Sequence, residues 1–154
     1  MNKDMQIIRE VNDQAENFYE DAAQLGNHAA YALKKAHRSQ MTGLENIAES
    51  ALKTSDIFDY IKRQIARLPY WSQGFPEYKE RPDEGFGERL KKYLEDELGP
   101  KREALCRRLE IGNKTDEDRQ IRRRIYLQLI RQFVRQMVVH YEYQVSSENG
   151  KKES

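Results

Sequence analysis

An unbroken stripe of apolar residues runs through the N-terminal part of the chain and dictates a helix there. Its members recur at alternating spacings of three and four residues, which places them on one face of an α-helix. They are Ile8, Val11, Ala15, Phe18, Ala22, Leu25, Ala29, Ala32 and Ala36. The stripe predicts one helix over about residues 4–37. Its alanine-rich second half would let a neighbouring helix approach closely.

Two further stripes of the same period lie downstream. The second comprises Leu44, Ile47, Ala51, Phe58, Ile61, Ile65 and Leu68, and it ends at Pro69. The third comprises Ile121, Ile125, Leu129, Phe133 and Met137, and it is widened by Ile130, Val134, Val138, Tyr141 and Val145. A face as wide as the third is either deeply buried or shared with a partner.

Capping signals place the ends of these helices. A turn is expected at residues 37–43, and Thr42 with Glu45 three residues later forms a capping-box pattern that starts the second helix. This helix would pack antiparallel to the first. Lys53–Asp56 offers a second capping site, so the helix could break or kink there.

The remaining segments complete an all-α prediction. Two short helices are expected around residues 86–98 and 101–110, separated by Gly99-Pro100, with Gly112 closing the second. The last helix should begin at the acidic segment from Thr115 and run to about residue 145. No stretch alternates with the period of a β-strand. We therefore expect a helical bundle with two or three long helices, two short helices and a long loop.

The loop is expected at residues 69–87 and is rich in proline, glycine and aromatic residues. Its aromatic side chains are Tyr70, Trp71, Phe75 and Tyr78. Loops of this length are usually functional or mobile. The aromatic residues could pack back onto the bundle, or they could contact a partner or stack on nucleic-acid bases.

The length of the chain limits the number of domains, and its hydropathy indicates the cellular compartment. The 154 residues suffice for one domain, which we place at residues 1–145, followed by a polar segment at 146–154 that is expected to be disordered. The mean hydropathy of -0.99 and the 34% of charged residues predict a soluble, cytoplasmic protein without a membrane span. The single cysteine, Cys106, is interpreted as a buried helix residue.

The net charge of +1 conceals an uneven distribution of charge. Residues 1–30 carry six acidic side chains against two basic ones, whereas residues 101–135 carry eleven basic against five acidic. An acidic end and a basic end favour head-to-tail association, with this chain itself or with other protein subunits, or a polyanion contact confined to one region.

Arginines in the basic region are the candidate nucleic-acid-binding residues. They are Arg119, Arg122, Arg123 and Arg124, which fall within two helical turns, together with Arg107 and Arg108. Such a cluster could hold successive phosphates through contacts that are independent of sequence and sensitive to salt. Alternatively, it is a solvated face paired with acids such as Asp116 and Glu117.

Residues Arg135 and His140 carry the one spacing with a catalytic meaning. An arginine could stabilise developing negative charge while a histidine moves the proton of an attacking 2′-hydroxyl. The Arg-x4-His spacing, with the polar Gln136 after the arginine, resembles the motif of HEPN-domain ribonucleases. That resemblance implies a metal-independent endoribonuclease, although Glu142 stands where the toxin subset has a tyrosine. In the structural alternative, Arg135 pairs with an acid and His140 is satisfied inside the bundle.

No histidine lies three residues after a glutamate, so a di-iron bundle is excluded, and we expect neither a metal nor a cofactor.

Three segments resemble, in their order, the small subunits of type III CRISPR effector complexes. They are residues 20–26, residues 52–62 with Leu-x-Thr-Ser at their start, and residues 133–143 with an apolar and aromatic end. The resemblance implies a non-catalytic helical subunit that stacks head-to-tail in a ribonucleoprotein, its basic residues facing the backbone of guide and target RNA. We rank an RNA-binding subunit first, a helical protein-protein adaptor second and a ribonuclease third.

Overall fold

Helices make up all of the regular secondary structure in the computed structural model, which describes residues 2–153. The α-helices are α1 (Lys3–Asn17), α2 (Tyr19–Leu33), α3 (Arg38–Ser50), α4 (Thr54–Arg67), α5 (Phe86–Asp96), α6 (Leu98–Arg108) and α7 (Asp116–Glu153). Short 3-10 turns occur at Lys35–His37 and Pro69–Ser72. No strand is present within residues 2–153, which confirms the all-α prediction.

The long helix α7 is the element on which the other helices pack. Its buried face includes Ile125, Leu129, Phe133, Met137 and Tyr141, none of which is exposed. The ring of Phe133 lies edge-on to Phe18, with centroids 5.5 Å apart, and stacks on Tyr93 of α5 at 4.4 Å. Since the chain's own helices cover this face, the wide apolar stripe forms the internal core.

The first predicted helix is divided into α1 and α2 at Phe18. This residue leaves the helical conformation, with φ -100° and ψ 9°, and its side chain is fully buried. Phe18 itself keeps its two helical hydrogen bonds, from its N–H to the Gln14 carbonyl and from the Ala22 N–H to its own carbonyl. The apolar period therefore continues through the junction, which is why the sequence pattern does not reveal it.

The close approach predicted for the alanine-rich segment occurs between α2 and α7. Ala29, Ala30 and Ala32 are buried there. A Cβ atom added at Gly26 would lie 2.7 Å from both the Met137 carbonyl oxygen and the His140 Cβ. The absence of a side chain at Gly26 thus allows the two backbones to pack against each other.

The second predicted helix begins earlier than expected. Helix α3 starts at Arg38, and the turn spans Lys34 to His37, with Lys34 at a positive φ of 55°. The capping-box prediction is wrong, because Thr42 lies inside α3 and its hydroxyl donates to the Arg38 carbonyl. The predicted break is confirmed, since α3 ends at Ser50 and α4 begins at Thr54.

The predicted boundary between the two short helices also shifts. Gly99 and Pro100 lie in the first turn of α6 rather than between the helices, and the first turn tolerates a proline because its N–H groups have no partner inside the helix. The residue with positive φ after α6 is Glu110 at 57°, not Gly112. The Ile111 N–H returns to the Cys106 carbonyl at 2.8 Å and closes the helix.

Helix α7 continues to Glu153, past the end expected near residue 145. It therefore covers most of the segment expected to be disordered; no proline interrupts residues 146–153. Ser154 lies outside the described residues. In the described part of the chain, no helix is long and apolar enough to cross a membrane.

Candidate anion-binding site

A groove lies where the link between α3 and α4 meets the side of α7. We call it the α3–α4 groove; its cavity has a volume of about 630 Å³. The lining residues are Ala51, Leu52, Lys53, Thr54, Ser55, Gln120, Arg123, Arg124, Leu127 and Arg131. Four of these are cationic, and among the described residues that line the groove none is acidic.

Arg131 of α7 holds the link in place. Its Nε donates to the Ala48 carbonyl and its Nη2 to the Ala51 carbonyl, both at 2.8 Å. These carbonyls belong to the last turn of α3, where the helix dipole is negative and a guanidinium is stabilising. The chain is thereby fixed in an extended conformation at Ala51, with ψ 139°.

The first turn of α4 forms another wall of the groove. Lys53 occupies the N-cap position, and its side chain cannot accept from the free N–H groups of the first turn. The Thr54 and Ser55 side chains add hydroxyl groups beside them. The wall thus contributes hydrogen-bond donors as well as the positive end of the α4 dipole.

Acidic residues neutralise the groove only in part. Arg124 pairs with Asp4 of α1 at 2.7 Å, and Lys53 lies 3.8 Å from Asp56. Arg123 is exposed and has no carboxylate within 4.0 Å in the part of the chain that the structure describes. Within the described residues Arg131 likewise contacts only carbonyl oxygens, so the groove keeps a net positive charge from Arg123 and Arg131.

The six arginines predicted to bind nucleic acid do not form one surface. Consecutive helical residues are separated by about 100° around the axis, so Arg122, Arg123 and Arg124 point in three directions. Arg122 pairs with Glu103 of α6, whose pKa is lowered chiefly by that hydrogen bond. Arg123 faces the α3–α4 groove, and Arg124 reaches from its rim to α1.

The other three predicted arginines lie away from the groove. Arg119 pairs with Asp116 at the start of α7, as the alternative interpretation expected. Arg108 pairs with Glu10 of α1 at 2.6 Å. Arg107 is exposed on α6. None of them lines the cavity.

Lys53 and Arg131 line the groove but were not among the predicted binding residues. A usable signal existed for Arg131, because it follows Arg124 by seven residues and Leu127 by four, and such spacings share one helix face. Lys53 gave no such signal. Only the folding of the link against α7 brings it to the arginines.

Arg135 and His140 contact different helices. Arg135 pairs with Glu49 of α3 at 2.6 Å and is half exposed. His140 lies edge-on to Tyr19 of α2, with ring centroids 5.0 Å apart, and its Nε2 is buried without a hydrogen-bond partner in the described structure. The two side chains share no hydrogen-bond or ion-pair partner there, so the geometry adds no support to the ribonuclease interpretation.

The aromatic residues of the 69–87 segment pack onto the bundle. Trp71 is fully buried against Phe86, and Phe75 stacks on the buried His28 with centroids 5.3 Å apart. The other two also have intramolecular partners: Tyr70 stacks on His37, and Tyr78 lies under the guanidinium of Arg89. All four aromatic side chains thus have partners within the bundle, and a contact of these residues with a partner stays a prediction.

Beside this segment lies a second cavity of about 430 Å³ between α2 and α5. Arg89 lines it and donates to His28 Nδ1 at 3.2 Å. Burial lowers the pKa of His28 to about 4, so the imidazole is neutral at physiological pH. Five acidic and three basic residues line this cavity, which makes it a weaker anion site than the α3–α4 groove.

The described side chains around the two cavities form no metal-binding cluster. Among the side chains that the structure describes, in residues 2–147, no group of three or more His, Cys, Asp or Glu could hold a metal ion. Cys106 is buried, and burial raises the pKa of its thiol.

Comparison with protein-family models, with curated proteins and with solved structures gives no match. The resemblances to HEPN-domain ribonucleases and to the small subunits of type III CRISPR effector complexes therefore stay predictions.

Proposed function

We propose that this protein is a non-catalytic RNA-binding subunit whose α3–α4 groove holds the RNA backbone. The supporting observation is the lining of the groove, which among the described residues holds four cationic side chains and no acidic one. Asp4 and Asp56 lie outside the lining and pair with Arg124 and Lys53, so two of the four cations are left without a carboxylate partner in the described part of the chain. Phosphate contacts of this kind provide affinity without reading sequence.

The spacing of the cations suits a polyanion better than a single ion. Arg123 and Arg131, which have no carboxylate partner among the described residues, are eight residues apart on α7, which corresponds to about 12 Å along the helix axis. Lys53 faces them from the other wall of the groove. Phosphates spaced along a strand can therefore contact the two ends of the groove at the same time.

Binding without cleavage is part of the proposal, and the groove lining offers only limited catalytic chemistry. The described residues that line the groove include no histidine, cysteine or carboxylate that could act as a general base or a nucleophile. The role as a subunit of a CRISPR effector or of another ribonucleoprotein is part of the proposal. In such an assembly this groove, rather than the whole basic region, would face the RNA.

A protein adaptor is the second candidate, supported by a different surface. Val139 and Tyr143 are one turn apart on α7 and are 56% and 72% exposed. Head-to-tail pairing through opposite charges receives less support, because Asp4 and Glu10 already pair with basic residues of the same chain. An adaptor would bind protein through the Val139 surface and would not bind RNA through the groove.

A charge reversal tests the proposal. Fluorescence anisotropy should show wild-type protein binding a labelled single-stranded RNA of mixed sequence, with an affinity that falls as salt rises. If about three phosphates are neutralised, the logarithm of the affinity should fall with a slope of about -2 against the logarithm of the salt concentration. Arg123→Glu should weaken binding by about tenfold or more, because an attraction becomes a repulsion.

Arg107→Glu is the matched control, since it makes the same charge change at an exposed site outside the groove. It should leave the affinity nearly unchanged. Equal losses for the two variants would show a diffuse electrostatic attraction and refute the groove. Absence of RNA binding by the wild-type protein at low salt would refute the proposed RNA-binding function.

A further inference from the structure

Leu52 is the most exposed large apolar residue of the described chain. Its side chain is 94% exposed, yet it stands at the α3–α4 groove beside the arginines. A leucine in this position buries almost nothing in the fold, so packing gives no reason for it. Single exposed apolar residues are common on proteins, but this one adjoins an apolar floor inside a cationic site.

That floor consists of Ala51 and Leu127. Ala51 is 4% exposed and Leu127 is 7% exposed, and both line the cavity. Because these two residues are nearly buried, Leu52 supplies almost all of the exposed apolar surface of the groove, which the cations also line. A ligand that fits the groove would carry a flat apolar group joined to an anionic backbone. An unstacked nucleotide has both of these features.

Arg131 determines where Leu52 stands. Its two hydrogen bonds, to the carbonyls of Ala48 and Ala51, fix the residue directly before Leu52. The next residue, Lys53, begins the wall formed by α4. The backbone beside Leu52 is therefore held at Ala51, which lowers the cost of ordering this segment when a ligand binds.

We infer that Leu52, together with Ala51 and Leu127, is a contact site for one unstacked base, which makes the groove selective for single-stranded over double-stranded RNA. This inference rests on the proposed function and adds to it the kind of RNA that is bound. In a duplex the bases are paired and stacked inside the helix, and only backbone groups and groove edges are accessible. A duplex could contact Arg123 but could not place a base on Leu52.

Leu52→Ser provides the test, because a residue so exposed can be changed without disturbing the core. Anisotropy titrations should show that Leu52→Ser lowers the affinity for the single strand by about tenfold and leaves the affinity for the matching duplex unchanged. Val139→Ser is the control at an exposed apolar residue outside the groove, and it should bind both RNAs as the wild type does.

A single strand with abasic ribose units separates the base from the phosphates. Its charge equals that of the ordinary strand, so wild-type protein should bind it about as weakly as Leu52→Ser binds the ordinary strand. If Leu52→Ser binds the ordinary single strand like the wild type while Arg123→Glu does not, the base-contact inference is overturned and the proposed function stands. If neither wild-type nor variant protein binds RNA, both are overturned.

An anionic membrane surface would also combine apolar and negatively charged groups. Co-sedimentation with phosphatidylcholine vesicles that contain phosphatidylserine distinguishes this case. We expect no co-sedimentation. Vesicle binding that is lost in Leu52→Ser, with RNA binding unchanged, would overturn the inference in favour of lipid.

Discussion

At the scale of single residues, burial decides how each ionisable group acts. Arg123 and Arg122 are neighbours in the sequence, yet one is an exposed cation and the other is paired with Glu103. His28 is a comparable case, because it is fully buried between Phe75 and Arg89 and is held neutral. A substitution at such a position therefore has effects that the residue type alone would not predict.

The neutral state of His28 should make stability depend on pH. Its pKa falls from 6.5 to about 4 on folding, chiefly through burial, so the unfolded chain binds more protons between those values. The contribution of the neutral His28 to the free energy of unfolding is present in full above pH 6.5, and it is lost as the pH falls towards 4. A shift of this size corresponds to about 3 kcal/mol at most.

His28→Gln should remove that dependence at some cost in stability at neutral pH. Urea unfolding of both proteins at pH 7.5 and pH 5 would measure the free energy of unfolding in each case. Wild type should lose more stability than the variant between the two pH values. An equal loss would show that His28 does not titrate with a lowered pKa.

At the scale of elements, small local features place the helices. Gly26 lets α2 approach the backbone of α7, and Arg131 joins the end of α3 to the same helix. Phe18 divides α1 from α2 while its ring packs on Phe133. Each of these residues lies in or beside a predicted helix, but its effect depends on a partner far away in the chain.

Gly26→Ala should destabilise the fold by about 1–2 kcal/mol. The higher helix propensity of alanine favours the variant by about 1 kcal/mol, but its Cβ would lie 2.7 Å from the backbone oxygen of Met137, and overpacking costs more. Gly112→Ala is the control, because its added Cβ would meet only the movable carboxylate of Asp118, at 3.1 Å. Thermal unfolding would compare the two, and a Gly26→Ala variant as stable as wild type would contradict the close packing.

At the scale of the whole molecule, one continuous core joins all seven α-helices. Buried apolar residues from α1 to α7 form a single hydrophobic cluster. Two ion pairs also connect the acidic N-terminal helix to basic residues, Asp4 with Arg124 and Glu10 with Arg108. The charge asymmetry of the sequence is therefore partly balanced inside the chain.

A single core predicts a single cooperative unfolding transition. Trp71, fully buried beside Phe86, reports through fluorescence on the packing of the 69–87 segment, while far-ultraviolet circular dichroism reports on all the helices. Urea titrations followed by both signals should give the same midpoint. An earlier fluorescence transition would show that this segment unfolds separately from the helices.

The apolar period by itself determined the all-α class, the helical regions and most of the core, because burial of one face is a local property of each helix. It did not reveal the division at Phe18, since the stripe continues through it, or the true start of α3, since the first turn of that helix is polar. It also placed Ile8 on the buried face, where the structure has Ile7 instead.

Only the tertiary structure decided which charges remain free. Arg123 and Arg131 meet at one groove without a carboxylate partner among the described residues because α7 lies beside the link between α3 and α4, whereas Arg122 and Arg124 form ion pairs with other helices.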